Sequence, residues 1–277
     1  MTSPKPDNAA MLAIIDANGG VPEFSDPLVA AFASRDADIQ TLVSEALDAG
    51  RARLAFQPVV SATTDRRVCF YEGLIRLLDD GGRVLPAKQF MPQVADTDAG
   101  RRIDTLALKL ALRLLSENPH VRLSINVSAR SLADWRWRST MADALAARGN
   151  LDDRLILEIS EQSAMLLHEV VIRFMIEMQP RGVCFALDGF GGGLTSFLHL
   201  RDFCFDLAKV HKGFTAQLAQ HPENQVLVEA LTTVARQFEM FVVAEGVESE
   251  RDAQILTRIG VDCLQGYHTG VPNFRLV

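Results

Sequence analysis

Short apolar runs alternate with helix-period stripes along almost the whole chain, and this alternation constrains the fold more than any other feature of the sequence. Strand-length runs fall at 54–60, 68–78, 121–127, 154–159, 183–187, 205–210, 241–244 and 262–265. Stripes of helical spacing lie between or before them. One runs through Ile39, Leu42, Val43, Ala46 and Leu47, with Gly50 as its stop, and another from Ile103 to Leu114 ends at Asn118-Pro119. Helices are also expected at 141–148, at 164–179 (stopped by Pro180-Arg181-Gly182), at 226–238 and at 253–259 before Gly260. Repeated strand-then-helix units imply parallel strands, and this many favour a closed α/β barrel of the TIM type. A doubly wound open sheet is the alternative, disfavoured because no glycine-rich phosphate fingerprint follows the first strands. A chain of 277 residues can supply one such barrel, and a hydrophobic content of 48% can fill its core. The barrel is expected over 38–277. Residues 1–37, with a short apolar run at 11–15 and a turn at Asn18-Gly19-Gly20, read as a lead segment or linker remnant.

The strands share a second property: many end on, or contain near their ends, polar side chains. Glu72, Asn126, Glu158, Asp188, Lys209, Glu245 and Gln265 are placed this way, and in such barrels the reactive groups sit where strands pass into βα-loops. Asp188 is followed by Gly189, Gly191, Gly192 and Gly193, a loop with little steric restriction. Glu72, Asn126, Glu158 and Asp188 are hard oxygen donors of the kind that suit magnesium, manganese or calcium. Glu161, Glu245 and Glu248 add carboxylates near the same mouth, opposed by Arg76, Lys209 and Lys212. Crowded carboxylates repel one another unless a cation joins them. A divalent ion there would also admit an anionic, phosphate-bearing ligand. Taken singly, each of these residues is better read as an ordinary polar group at a barrel mouth; as a set they favour a metal site.

Composition narrows the partners. A net charge of −7 argues against a nucleic-acid polymer. No apolar run approaches bilayer-spanning length, so membrane insertion is not expected. Cys69, Cys184, Cys204 and Cys263 form no CxxC pair and read as buried, reduced thiols in or beside apolar runs, which fits a cytoplasmic location. Trp135-Arg136-Trp137-Arg138 mixes aromatic and basic residues as single-strand binders do, but in an acidic chain helix-start packing or a partner patch is the better reading.

The motifs YEGLIR (71–76), SINVSARSL (124–132), LEISE (157–161), ALDGFGGGLTS (186–196), LAKVHKGF (207–214), VVAEGVESE (242–250) and QGYHTGVP (265–272) resemble, in order, those of the EAL domain family. The resemblance covers nearly the whole chain from about Ser44 to Pro272. It implies a barrel phosphodiesterase that linearises the bacterial second messenger cyclic di-GMP with magnesium or manganese. By the same resemblance Glu72, Asn126, Glu158 and Asp188 bind a metal, and Arg76 holds a ligand phosphate. Lys209 sits near the attacking water, Glu245 is the essential glutamate on the second-metal side, and Glu161 supports the loop after Asp188. Gln57, Glu248 and Gln265 complete the ligand-binding positions at the mouth. The middle residue of the signature is Gly73 in place of alanine.

Two departures from the family pattern fall in the second-metal half. Gly189 stands where a second aspartate is expected, and His211 stands where another aspartate follows the lysine motif. The loop, normally with threonine and tyrosine, is here Gly192-Gly193-Leu194. One metal site is therefore expected intact and the second weakened. The leading expectation is a degenerate phosphodiesterase that binds cyclic di-GMP or a protein partner with weak or no hydrolysis. A working phosphodiesterase yielding linear pGpG, in which His211 helps hold the second metal, is the alternative, and a pure interaction module is a third. Apart from the family, an enolase-like metal barrel with Lys209 as base is the fallback. A sensor domain and a homodimer are further partners to expect.

Overall fold

The computed structural model describes residues 27–193 and 197–276. The chain divides into two compact units, Met1–Ile39 and Gln40–Val277. The run at 11–15 and the residues Leu194, Thr195 and Ser196 lie outside the described residues. A helix, Pro27–Asp48, leads into the larger unit, where Val43 and Ala46 are buried, as the stripe requires. Gly50 follows with φ +63°, a backbone angle that glycine adopts without steric cost.

Among the described residues nine strands follow: β1 (Ala52–Ser61), β2 (Val68–Leu78), β3 (Val84–Pro86), β4 (Leu123–Asn126), β5 (Leu155–Ser160), β6 (Val183–Phe190), β7 (Leu207–Val210), β8 (Phe241–Ala244) and β9 (Cys263–Leu264). Their order, β1-β9-β8-β7-β6-β5-β4-β2-β3, closes through an additional β1–β2 pairing, so eight strands form a barrel and β3 is a hairpin extension of β2. All eight expected strands are present. The direction of the first is the difference, since β1 runs antiparallel to both β2 and β9 while β2 and β4 to β9 are mutually parallel. The cause is connection length. Residues 62–67 are too few for the helical crossover that parallel neighbours need, so β1 and β2 form a hairpin.

Helices cover the outside: Asp98–Glu117, Trp135–Arg148, His168–Met178, Pro222–Gln237 and Glu250–Ile259. The expected helix at 164–179 is broken. A short helix, Glu161–Leu166, ends at Leu167, whose φ −121° and ψ 42° interrupt the helical path. The Trp-Arg-Trp-Arg segment is a helix start: the Asp134 carboxylate accepts the Arg136 backbone N–H at 2.9 Å. Trp137 is fully buried edge-on to Phe174, while Trp135 stays exposed. The four thiols are unpaired by disulfide, but Cys204 is exposed rather than sheltered.

The barrel interior is stratified. Its base is apolar, built from Val59, Phe70, Ile156, Ala186, Leu207, Val243 and Cys263. A cavity of about 510 Å³ opens there, where Cys69, Cys184, Cys263 and apolar residues meet a rim of Arg122, Asp153, Asp206 and Asp262, at the end of the strands away from Glu72, Glu158 and Lys209. The polar residues singled out in the sequence gather at the opposite end.

Asp104, on the helix Asp98–Glu117, ties this scaffold to the segment after β4. Its Oδ2 accepts the Ser128 N–H at 2.9 Å and the Ser131 hydroxyl at 2.7 Å. Burial nonetheless pushes its carboxyl up to about 6 from the ordinary 3.8. A raised carboxyl favours folding while protonated, so this contribution is present below pH 3.8 and is lost as pH rises through about 6. Asp104→Asn keeps the acceptor and removes the buried charge. The variant should therefore exceed the parent by ~2–3 kcal/mol above pH 7, with the gap closing below pH 4. Urea unfolding at the two pH values measures it.

Candidate functional site

Parallel pairing sets the site. Glu72 is level with Ser124, Asn126 with Glu158, and Ser160 with Asp188, so adjacent strand ends deliver their polar groups to one mouth. Because side chains alternate along a strand, Glu72 and Arg76 share a face of β2, with Arg76 nearer the rim.

Lys209 is the hub. Its ammonium is buried and lies 2.6 Å from Glu158 Oε2, 3.2 Å from Glu72 Oε2 and 3.1 Å from Glu245 Oε1. Burial opposes that charge, but the surrounding carboxylates outweigh it and hold the ammonium well above its ordinary range. Glu72 Oε1 accepts the Asn126 side-chain N–H at 2.8 Å, and its Oε2 also accepts from Gln265. Burial works to raise the Glu72 carboxyl, yet Lys209, Gln265 and Asn126 together hold it below the usual range.

Glu158 and Glu245 behave oppositely. Burial first, and then the charge of Glu72, push Glu158 up to about 8. Glu245 is raised to about 7 by burial, with Asp188 and Glu72 adding to the effect against Lys209. The second oxygen of Glu158 is buried without a hydrogen-bond partner, as is Oε1 of Gln265. An orphaned carboxylate oxygen among further hard donors fits a divalent cation, which would take up that oxygen and offset the mutual repulsion.

The other predicted residues divide. Gln57 on β1 is buried, donating to the Gly270 carbonyl at 3.1 Å and accepting from Gln265 at 3.4 Å. Arg76 is partly buried and gives one guanidinium N–H to its neighbour's carbonyl, Ile75 O, at 3.0 Å. Glu161, at the start of its short helix, accepts backbone N–H groups of Gly193 and Gly191, linking it to the turn after β6. Glu248 is exposed beyond β8, outside the bonded cluster. Gly73 packs closely on β4, since a Cβ there would lie 3.2 Å from Ser124 O.

Gly189 and His211 adjoin. Gly189 has φ +76° within an irregular stretch of the β6–β7 pairing. The His211 Cδ2 lies 3.9 Å from where a Cβ on Gly189 would stand. His211 Nδ1 accepts the Gly213 N–H at 3.1 Å and caps the short helix Lys212–Thr215. The sequence reading missed two contributors. Asp104 holds Ser128 and Ser131 from a separate helix, a contact that no local pattern marks, and the carbonyl of Gly270 holds Gln57 from within the 265–272 motif, a backbone role that side-chain identity does not announce.

An eight-stranded barrel with buried carboxylates around one lysine at the C-terminal ends of its parallel strands defines a class: barrels that gather hard-cation donors at one mouth. Residues 41–272 match the model of the EAL domain, and the chain belongs to that family. It is 28% identical over 233 residues to a bifunctional diguanylate cyclase/cyclic di-GMP phosphodiesterase, MucR, of Pseudomonas aeruginosa, covering 82% of this chain and 34% of that protein. To the cyclic di-GMP phosphodiesterase PdeF of Escherichia coli it is 26% identical, covering 83% of this chain and 31% of that protein. The chain thus spans about a third of the length of these curated relatives. Among solved structures it resembles the Pseudomonas aeruginosa MucR phosphodiesterase in its c-di-GMP complex, with a TM-score of 0.77 at 26% identity, covering 85% of this chain and 97% of that one. It also resembles the FimX EAL domain of Pseudomonas aeruginosa bound to c-di-GMP, with a TM-score of 0.78 at 25% identity, covering 86% and 97%. Among the described residues no helix is long and apolar enough to cross a membrane.

Proposed function

We propose that this chain is a cyclic di-GMP receptor of the EAL type, a degenerate phosphodiesterase that binds the dinucleotide with little or no hydrolysis. One contrast carries the reading. Glu72, Asn126, Glu158 and Asp188 keep a full hard-donor set on neighbouring strands, whereas the second half of the site offers a left-handed glycine at 189 and a histidine engaged as a helix cap at 211.

Glu72, Asn126, Glu158 and Asp188 would hold one magnesium or manganese ion. When bound, that ion supplies Lewis-acid polarisation of a phosphoryl oxygen. Arg76 presents its guanidinium to a ligand phosphate, where paired N–H donors give charge-assisted bonds that lysine does not reproduce. Gln57, Gln265 and Glu248 line the ligand side. Lys209 fixes Glu72, Glu158 and Glu245 in one arrangement. Glu245, raised to about 7, is able to take a proton near neutrality. Without carboxylates at 189 and 211 that proton acceptor lacks the partners that would position water. Glu161 holds the loop after Asp188 through Gly191 and Gly193. Residues 1–37 serve as a lead segment joining the barrel, 38–277, to a sensor or partner, and the chain works in the cytoplasm.

Calorimetric titration with cyclic di-GMP, with and without magnesium, tests this reading, alongside an assay for linear pGpG. Binding without turnover is the expected result; robust turnover would replace it with the enzyme reading, and absence of binding with an interaction module. Arg76→Lys should weaken dinucleotide binding at least about tenfold, the loss of one good charge-assisted bond, with an unchanged melting midpoint. Glu72→Ala should lower both metal and dinucleotide affinity.

A further inference from the structure

The helix His168–Met178 opens on His168, and the helical turn Phe197–Leu200 carries His199 three residues before Asp202. The fold brings the three together. His168 Nε2 is 3.6 Å from Asp202 Oδ2, and His199 Nδ1 is 4.0 Å from the same oxygen. One ligand atom from each residue lies within 4.8 Å of the other two. The imidazoles meet edge to face with centroids 5.0 Å apart, and Phe203 packs on His168 at 4.9 Å and 80°, fixing its ring. His168 Nε2 is buried and makes no hydrogen bond.

We propose that His168, His199 and Asp202 form a transition-metal site of the Zn²⁺ class, with water as the fourth ligand. Ligand atoms around tetrahedral zinc stand about 3.3 Å apart given its bond lengths, so the 3.6 and 4.0 Å spacings to Asp202 need to close by less than about 1 Å, and the two ring nitrogens, within 4.8 Å of each other, by no more than about 1.5 Å, a shift that side-chain rotation at the two exposed positions can supply. Two imidazoles with one carboxylate select zinc-like ions over magnesium or calcium, unlike the all-oxygen set at the mouth. Arg201 pairs with Asp202 Oδ1 at 3.6 Å and leaves Oδ2 for the metal. The bland alternative is a solvated histidine pair leaning on an aspartate. The location argues for more. Glu161 already holds Gly191 and Gly193 from the short helix that precedes His168. A metal at His168, His199 and Asp202 would fasten the chain beyond the β6 glycines to the adjoining helix at a second point. The proposal does not depend on dinucleotide binding.

Cobalt(II), which reports zinc-like geometry through visible absorption, is the probe, added to the full chain carrying Glu72→Gln so that the mouth is weakened as a competitor. One equivalent should give an intense four-coordinate band that Zn²⁺ displaces. His199→Ala and Asp202→Asn, both at surface positions, should each lower the affinity roughly a hundredfold, the scale of losing one of three protein ligands. A parent without that band, or a band unchanged in both variants, overturns the site. If either variant unfolds, imidazole nitrogen spectra of the parent decide: zinc must shift His168 Nε2 and His199 Nδ1 together, and failure to do so overturns it as well.

Discussion

Restoring aspartate at both 189 and 211 should raise pGpG formation by roughly a hundredfold or more, the scale on which a damaged charge-stabilising set is recovered. Position 211 accepts the change easily. His211 works as an N-cap through Nδ1 to the Gly213 N–H, and aspartate is among the favoured N-cap residues. Removing the ring also frees space, because the His211 ring lies against Gly192 and faces the direction a side chain at 189 would take. Position 189 is harder. Its φ of +76° is left-handed, which costs a side-chain-bearing residue about 1–2 kcal/mol, although aspartate tolerates it better than most. Each single change restores one carboxylate without its partner, so the gain should be strongly non-additive. Manganese- and magnesium-dependent turnover of parent, singles and double measures this. A parent already turning over robustly, or a double variant that folds, binds two metals and stays silent, contradicts the assignment of the defect to these positions.

Lys209→Met should be the most destabilising single substitution at the mouth. The ammonium compensates Glu72, Glu158 and Glu245 in a buried setting. Removing one partner of a buried charge set costs about 3–5 kcal/mol, because the remaining charges lose their compensation. For a chain of this size that lowers the melting midpoint by roughly 10 °C. The loss should grow with pH. In the variant the carboxyls can take up protons at low pH, whereas above about 8, where Glu158 ionises even in the parent, they must carry charge unaided. Magnesium or manganese should restore much of the lost stability if the same oxygens hold a cation. Calorimetric melting at pH 5.5 and 8.5, with and without metal, reads both effects. An unchanged midpoint would show that Lys209 does not carry the compensation.

Local pattern made the strands legible, and with them most of the polar residues that gather at one mouth of the barrel. A carboxylate or amide near the end of an apolar run is visible as such: Asn126, Glu158 and Asp188 lie at or within two residues of their strand ends, and Glu72 lies within β2 where it pairs with β4. The number of strand–helix units pointed to closure. The reversal of β1 was also within reach, since only residues 62–67 separate two strands, yet the alternation elsewhere masked it. The break at Leu167 was not, because residues 164–179 keep helical spacing through it. The convergence of Lys209 on three carboxylates drawn from β2, β5 and the end of β8 depends on tertiary distances that no spacing encodes. The same holds for Asp104, whose partners Ser128 and Ser131 belong to another element. His168, His199 and Asp202 passed unnoticed for that reason too: a pair of histidines more than thirty residues apart carries no motif.

The reversed β1 sets the order in which the ring can assemble. Its pairing with β2 joins neighbours across one short turn, and nine registered pairs form there at little entropic cost. Its pairing with β9 amounts to Val60 with Leu264 and Ser61 with Cys263, reinforced by the Ala62 N–H on the Asp262 carbonyl, the bridge from Phe56 to Asn273 and the Gln57 side chain between Gly270 and Gln265. Closing that contact joins residues about 200 positions apart and costs ~3 kcal/mol more than the hairpin in lost chain freedom. The long closure is repaid by fewer registered pairs than the hairpin, so it belongs late in folding. β1 therefore waits on β2 as a preformed half-gate, and the amides of Phe56 and Asn273, which bond each other's carbonyls across the closure, should be among the first in the barrel wall to exchange with solvent when the ring breathes.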